Sequence, residues 1–217
     1  MQLINYRYIK KFSLCWILDE KGIINIAGVL SHPRTLPAIP VKYIGGVSRL
    51  KRQAGTEKKY DLLILISGPE PQRTLFEKMM FNQLKAFKGR VLVVRGLPGN
   101  AEQLLSENEL VIKNHLPAKE LEKAFNESEY IISRSGYTTV MDICKLQKRS
   151  ILIPTQGQTE QEYLAVHLQK QGWCLAASQE NFSLEKSLQK VKSLKYQLPD
   201  LKMETYKEIL TDFINKL

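Results

Sequence analysis

Residues 130–142 read Tyr130-Ile131-Ile132-Ser133-Arg134-Ser135-Gly136-Tyr137-Thr138-Thr139-Val140-Met141-Asp142, and residues 154–163 read Pro154-Thr155-Gln156-Gly157-Gln158-Thr159-Glu160-Gln161-Glu162-Tyr163. The first stretch is a buried strand (Tyr130 to Ser133), a Ser-Gly turn and a hydroxyl-rich helix start. The apolar run from Ser150 to Pro154 is a second buried strand, and the polar turn behind it opens another helix. Units of this kind place ligand sites at strand C-termini, where the first N–H groups of a helix have no partner inside it and attract anions. Small, hydroxyl, amide and acidic side chains at two successive strand ends point to a phosphate-bearing ligand with a polar sugar.

Working outward, the same alternation begins at Tyr60. The continuous apolar run Asp61 to Ile66 has the texture of a strand covered on both faces, hence of a parallel sheet. It ends in Ser67-Gly68-Pro69-Glu70-Pro71-Gln72-Arg73-Thr74. Leu75, Met79, Met80 and Leu84 then recur at helical spacing, predicting a helix to about Phe87. Strands follow over Arg90 to Arg95 and Glu109 to Lys113, with a short helix around Ala101 to Leu105 between them and a helix over Ala118 to Asn126 after them. Trp173 to Ala176 is a sixth strand, and helices over Leu184 to Leu194 and Met203 to Asn215 close the chain. Strand and helix in alternation with short connections give an α/β, Rossmann-like, doubly wound parallel sheet over residues 60–217. Its expected strand order, 3-2-1-4-5-6, brings the ends of the first and fourth strands together at the ligand crevice. Those ends are Ser67-Gly68 and Ser133 to Gly136.

Residues 1–59 have a different texture. An apolar run over Phe12 to Leu18 ends in the turn Asp19-Glu20-Lys21-Gly22. Gly28, Pro33, Pro37 and Pro40 follow, then a short strand candidate, Val41 to Ile44, and a polar, linker-like stretch from Arg49 to Lys59. The net charge of +10 is concentrated here, with 11 lysines and arginines against three acids in residues 1–60. Two readings stand: a basic face that meets an anionic membrane surface or acidic partner, or a merely solvated one. Nucleic acid is not indicated, since no recognition motif accompanies the charge. No apolar run reaches the roughly 20 residues a spanning helix needs, and Met1 to Arg7 lacks a signal-peptide core, so the expected location is the cytoplasm or the inner membrane surface. Cys15, Cys144 and Cys174 lack metal or redox spacing and read as free thiols. The absence of Asp-x-Asp leaves diphosphate neutralisation to helix dipoles and side chains, with no metal and no cofactor.

These residues carry a resemblance. Arg134-Ser135-Gly136-Tyr137-Thr138-Thr139-Val140-Met141-Asp142 and Pro154 to Tyr163 resemble the nucleotide-sugar half of GT-B glycosyltransferases, especially the MurG-type enzymes. There, an Arg-Ser-Gly-x-x-Thr-x-x-acid run ends the fourth strand and a Pro-x-Gln-x-x-x-x-Gln-Gln-Tyr run follows the fifth. The resemblance implies that the turn at Arg134, Ser135 and Gly136 borders the donor and that Thr138 and Thr139 contact phosphate. Asp142, where the family usually has Glu, would accept the ribose hydroxyls. Gln161 and Glu162, in a turn shared with Gln158 and Glu160, would hold the donor sugar. Gly68 and Arg73 remain usable for the diphosphate, although Pro69, Glu70 and Pro71 replace the family's glycine-rich loop. Three alternatives stay open: Asp142 in the first turn of a helix with Thr139 as its cap, Glu162 bonding back to the Thr159 N–H in a capping box, and Arg73 as a solvated arginine. Gln161 is favoured over Glu162 as a sugar ligand.

The same resemblance implies a second, N-terminal acceptor domain, of which residues 1–59 would be only the closing segment, Val41 to Arg49 leading into the nucleotide domain. The implied ligand is a nucleotide-sugar, a UDP-sugar as donor substrate. The implied partner is the missing acceptor domain or a separate acceptor subunit. Three functions follow: the donor-binding part of an inverting hexosyltransferase, a nucleotide-sugar hydrolase, or a non-enzymatic sensor or scaffold. His32, His115 and His167 are assigned no catalytic role. Apolar surface around Trp16, Ile23, Ile24 and Ile26 is expected to lie open or against another chain, with self-association as a consequence.

Overall fold

In the computed structural model, residues 2–99, 104–107, 109–201 and 203–216 are described. The elements run α1 (Gln2–Ile9), β1 (Cys15–Ile17), a 3-10 turn (Gly28–Leu30), β2 (Val41–Tyr43), β3 (Tyr60–Leu65), α2 (Gln72–Leu84), β4 (Val91–Val94), β5 (Leu110–Lys113), α3 (Ala118–Asn126) and β6 (Ser128–Ser133). They continue with α4 (Tyr137–Leu146), β7 (Arg149–Leu152), α5 (Thr159–Lys170), β8 (Leu175–Ala176), α6 (Leu184–Ser193) and α7 (Thr205–Ile214). Residues 101–103 of the expected short helix lie outside the described residues, and Leu104 and Leu105 are not helical.

Six strands form one parallel sheet in the order β5-β4-β3-β6-β7-β8. Counted from Tyr60, this is the expected 3-2-1-4-5-6. Alternate strand residues feed opposite faces, as the pleat requires. Leu63, Leu92, Ile131 and Leu152 pack with α3, α4 and α5 through Phe125, Val140 and Leu168. Leu62, Ile64, Ile132 and Ile151 pack with α2 and α6 through Phe76, Met80 and Val191. Each fully buried Leu or Ile contributes about 1.5–3 kcal/mol, so a sheet covered on both faces must read as unbroken apolar runs.

The N-terminal residues form a small structure of their own. β1 and β2 pair in parallel, Trp16 opposite Lys42, and α1 was not anticipated from the sequence. Asp19, fully buried, organises the loop between the strands: its carboxylate accepts from the backbone N–H groups of Ile26 (2.8 Å) and Ala27 (2.9 Å) and from Ser31 Oγ (2.5 Å). This corrects the expectation that Ile26 lies open, since those bonds turn it into the core at 0% exposure, whereas Ile23 at 98% and Ile24 at 60% are exposed. Trp16 is half-buried and meets Phe213 of α7 edge-on, ring centroids 5.3 Å apart.

The stretch after β2 is not a loose linker. Leu50 is buried, Lys51 N–H donates to Glu122 (2.7 Å), and Gln53 N–H donates to Asn126 Oδ1 (2.9 Å). It is a strap fastened along α3 and α4. Cys144 and Cys174 are buried free thiols, and Cys15 is a half-buried one. No helix among the described residues is long and apolar enough to cross a membrane.

Candidate nucleotide-sugar site

Leu65 pairs with Ser133, and Ser133 pairs with Leu152, so the turns after β3, β6 and β7 leave the sheet side by side. In the first, Gly68 is exposed at φ +111°, a backbone conformation only glycine adopts without strain. In the second, Gly136 is the N-cap of α4 and supplies no side-chain cap. A Cβ at either glycine would meet nothing within 4 Å, so both turns face open space. The first-turn N–H groups of α4 therefore point outward past the exposed Thr138 and the half-buried Thr139. Ser135, fully buried, joins the second turn to the third by donating to the Gln161 carbonyl at 2.8 Å.

The two arginines of the candidate set are committed elsewhere. Arg134 is 2% exposed, stacks on Phe76, and donates to the carbonyls of Pro154 (3.0 Å), Ile153 (3.3 Å) and Gln72 (3.1 Å). Burial lowers its pKa to about 10. It ties the starts of all three turns together from below. Arg73 is buried rather than solvated. It pairs with Glu70 (2.6 Å) and Glu77 (2.8 Å), and Glu77 is shared with Arg95 (2.9 Å). The geometry thus does not present Arg73 to a ligand, and Glu70 stands beside it instead.

The polar turn after β7 caps differently from the sequence expectation. The N-cap of α5 is Gln158, one residue earlier than Thr159. Gln161 consequently takes the back-bonding position, donating to Gln158 Oε1 while its own Oε1 accepts the Thr155 N–H at 3.0 Å. Glu162 accepts from Gly157 N–H at 3.0 Å, not from Thr159. The local ground for preferring Gln161 over Glu162 is therefore gone, since both side chains bond within the turn, Gln161 half-buried and Glu162 and Glu160 exposed.

Asp142 lies in the second turn of α4, which removes the alternative that placed it at a helix start capped by Thr139. Its Oδ1 accepts from Ser48 Oγ at 2.6 Å. Burial pushes its carboxyl above the ordinary aspartate range, opposed by the Ser48 hydroxyl and the nearby Arg49 guanidinium. Ser48 and Arg49 were missed as site residues because they lie 94 and 93 positions upstream, Arg49 at the start of the stretch that reads as linker and Ser48 just before it. The only sequence signal was the Gly45-Gly46 turn just before them.

Residues 93–217, more than half of the chain, match the model of the glycosyltransferase family 28 C-terminal domain. The chain belongs to that family. The family 28 match begins inside β4, so the turn holding Gly68 and Arg73 lies outside it. A curated relative, the UDP-N-acetylglucosamine--N-acetylmuramyl-(pentapeptide) pyrophosphoryl-undecaprenol N-acetylglucosamine transferase of Clostridium kluyveri, is 23% identical over 164 residues, covering 72% of this chain and 44% of the relative. The chain thus spans less than half of that relative's length. Among solved structures, MurG of Acinetobacter baumannii superposes with a TM-score of 0.52 at 17% identity, covering 85% of this chain and 58% of that one. The glycotransferase of kitacinnamycin gives 0.52 at 15% identity over 70% and 41%. Both show a shared GT-B fold, and the family 28 domain is the C-terminal domain of such glycosyltransferases.

Beside the candidate site, one strand away, a cleft of about 550 Å³ opens between Pro154, Gln156 and Glu162 on one side and Ala177 to Glu180 on the other. The turns after β3 and β6 face open space at Gly68 and Gly136 instead. His32 stacks on Tyr43, His167 stacks on Tyr163, and His115 is exposed. Among the described residues no group of three metal-ligating side chains converges.

Proposed function

We propose that this chain is the donor-binding part of an inverting GT-B glycosyltransferase that takes a hexosyl group from a UDP-sugar. The observation that carries the reading is the uncapped N-terminus of α4, opening at the sheet's topological switch point beside a half-buried carboxylate. The diphosphate would lie against the α4 N–H groups, where the helix dipole favours negative charge, with Thr138 and Thr139 as hydroxyl donors. The ribose diol would reach Asp142, whose free lone pairs suit two O–H donors. Gly68, Ser135 and Gly136 leave room for backbone approach, and Gln158, Glu160, Gln161 and Glu162 form the wall facing the sugar. Arg134 holds these turns in register from beneath. The function named for the Clostridium kluyveri relative supports UDP as the nucleotide.

The acceptor and its general base belong to the other half, either an acceptor domain of the same polypeptide or a separate subunit. The loop at Leu18 and Asp19 reaches α4, with Tyr137 Oη donating to the Leu18 carbonyl, so that half would adjoin the donor groove. The basic N-terminal residues, with Ile4, Tyr8 and Phe12 exposed beside Arg7, Lys10 and Lys11, suit contact with an anionic membrane surface. Thermal scans with UDP, GDP, CMP and dTDP at millimolar concentration test the reading, because a ligand selective for the folded state must raise Tm. UDP is expected to give the largest shift, and no shift with any of them would refute nucleotide binding.

A further inference from the structure

The geometry points to Ser48 as a second ribose-binding residue, forming with Asp142 a two-residue clamp that reads a vicinal diol. This deepens the UDP-sugar reading above and rests on it.

Asp142 Oδ1 is occupied by the Ser48 hydroxyl at 2.6 Å, and among the described residues no hydrogen bond reaches Oδ2. Oδ2 is thus the carboxylate oxygen left wholly open to a ligand, and Ser48 offers a second acceptor beside it. Its proton is committed to Asp142, and one lone pair accepts the Leu50 N–H at 3.1 Å. A hydroxyl oxygen has two lone pairs, so one acceptor position remains. Oδ2 of Asp142 and Oγ of Ser48 thus form a pair of acceptors, each able to take one of two neighbouring hydroxyls. Both residues are half-buried, so each keeps some accessible surface.

The strap that carries Ser48 is fixed on both sides. Val47 N–H contacts Met141 Sδ at 3.3 Å, Leu50 is buried at 2% exposure, and a Cβ on Gly46 would press Met203 at 3.1 Å. Oγ is therefore held in place before a ligand arrives, which lowers the ordering cost of using it. Aspartate is also one methylene shorter than the glutamate of the resemblance. The hydroxyl of Ser48, in contact with the carboxylate at 2.6 Å, extends the acceptor surface that the shorter side chain offers.

The test is titration calorimetry of UDP and 2′-deoxy-UDP into the chain and into S48A, S48T and D142N, each checked by circular dichroism for folding. S48A is expected to lower UDP affinity about fivefold to tenfold, the loss of one hydrogen bond, and S48T to restore most of it. Either S48A or D142N, whichever residue takes the 2′-hydroxyl, is expected to abolish the preference for UDP over the deoxy ligand. Unchanged or tighter UDP binding by S48A, with D142N still weakened, would overturn the clamp and leave Asp142 as sole acceptor. Failure of the unsubstituted chain to bind UDP would overturn the donor-site reading and the clamp with it.

Discussion

The guanidinium of Arg134 lies 4.2 Å from the ring centroid of Phe76, so a buried cation at the end of β6 rests on the first turns of α2 rather than on a carboxylate. Its compensation comes from three backbone carbonyls, drawn from α2 and from the turn after β7. A planar guanidinium aims its donors in one plane from a longer reach, whereas a lysine ammonium is a compact tetrahedral donor that cannot reproduce that fork. The R134K variant is therefore expected to lose about 2–3 kcal/mol in urea unfolding, from buried carbonyls left unpaired. It should also weaken UDP binding, because the three turns lose their common tie. Wild-type stability in R134K would contradict this role.

Gly28 fixes the N-terminal loop to α5. At φ +53°, a Cβ there would come within 2.2 Å of Tyr163 Oη and 2.9 Å of His167. The same Tyr163 hydroxyl accepts the Val29 N–H at 2.9 Å. G28A is expected to cost about 1–3 kcal/mol through strain and the clash, and to expose the loop around Ile23 and Ile24 to faster proteolysis. Limited proteolysis with peptide mapping checks this, and an unchanged cleavage rate would contradict it.

Lys148 makes stability depend on pH. Burial first, then the hydrogen bond and charge of Lys58, lower its pKa from 10.5 to about 7. The folded chain releases this proton near pH 7, whereas the unfolded chain keeps it to about pH 10.5. The unfolded state thus binds more protons in between, and stability rises with pH. Above roughly pH 8.5 the trend is opposed by Cys144 and Cys174, whose thiols burial raises, Cys174 to about 12. Urea midpoints between pH 7 and 8.5 should therefore climb, by at most about 1.4 kcal/mol per pH unit. K148M should flatten the slope, and an equal slope in both proteins would contradict the assignment.

How far the sequence could be read follows from the range of the interactions involved. The run Asp61 to Ile66 and the motif from Tyr130 to Asp142 carry their periodicity locally, so the sheet, its strand order and a helix behind the Ser135-Gly136 turn were legible. Helix α3 was read to its observed bounds because Pro117 and the apolar spacing of Leu121 and Phe125 mark it. What escaped depends on distant partners. Arg73 pairs with Glu70 and Glu77 at helical spacing, which the sequence does carry, but its burial comes from Arg95, 22 positions on, which shares Glu77 and accepts from Arg73 through its carbonyl. Ile26 is buried because Asp19 folds the loop over it. The α5 cap moved by one residue, from Thr159 to Gln158, and this exchanged the local duties of Gln161 and Glu162. Ser48 reaches Asp142 only once the strap lies along α4.

The central claim is that these 217 residues bind a nucleotide-sugar donor without transferring it on their own. Inverting transfer needs an acceptor hydroxyl in line with the anomeric carbon and a base within about 3 Å of it, and both are proposed to come from another domain or subunit. Equilibrium dialysis of the purified chain against UDP-N-acetylglucosamine, with the bound ligand recovered and analysed, tests both halves of the claim together. The account predicts saturable binding with the donor recovered intact. Absence of binding at millimolar ligand, or release of UDP at about 1 s⁻¹, the rate of a competent enzyme, would contradict it.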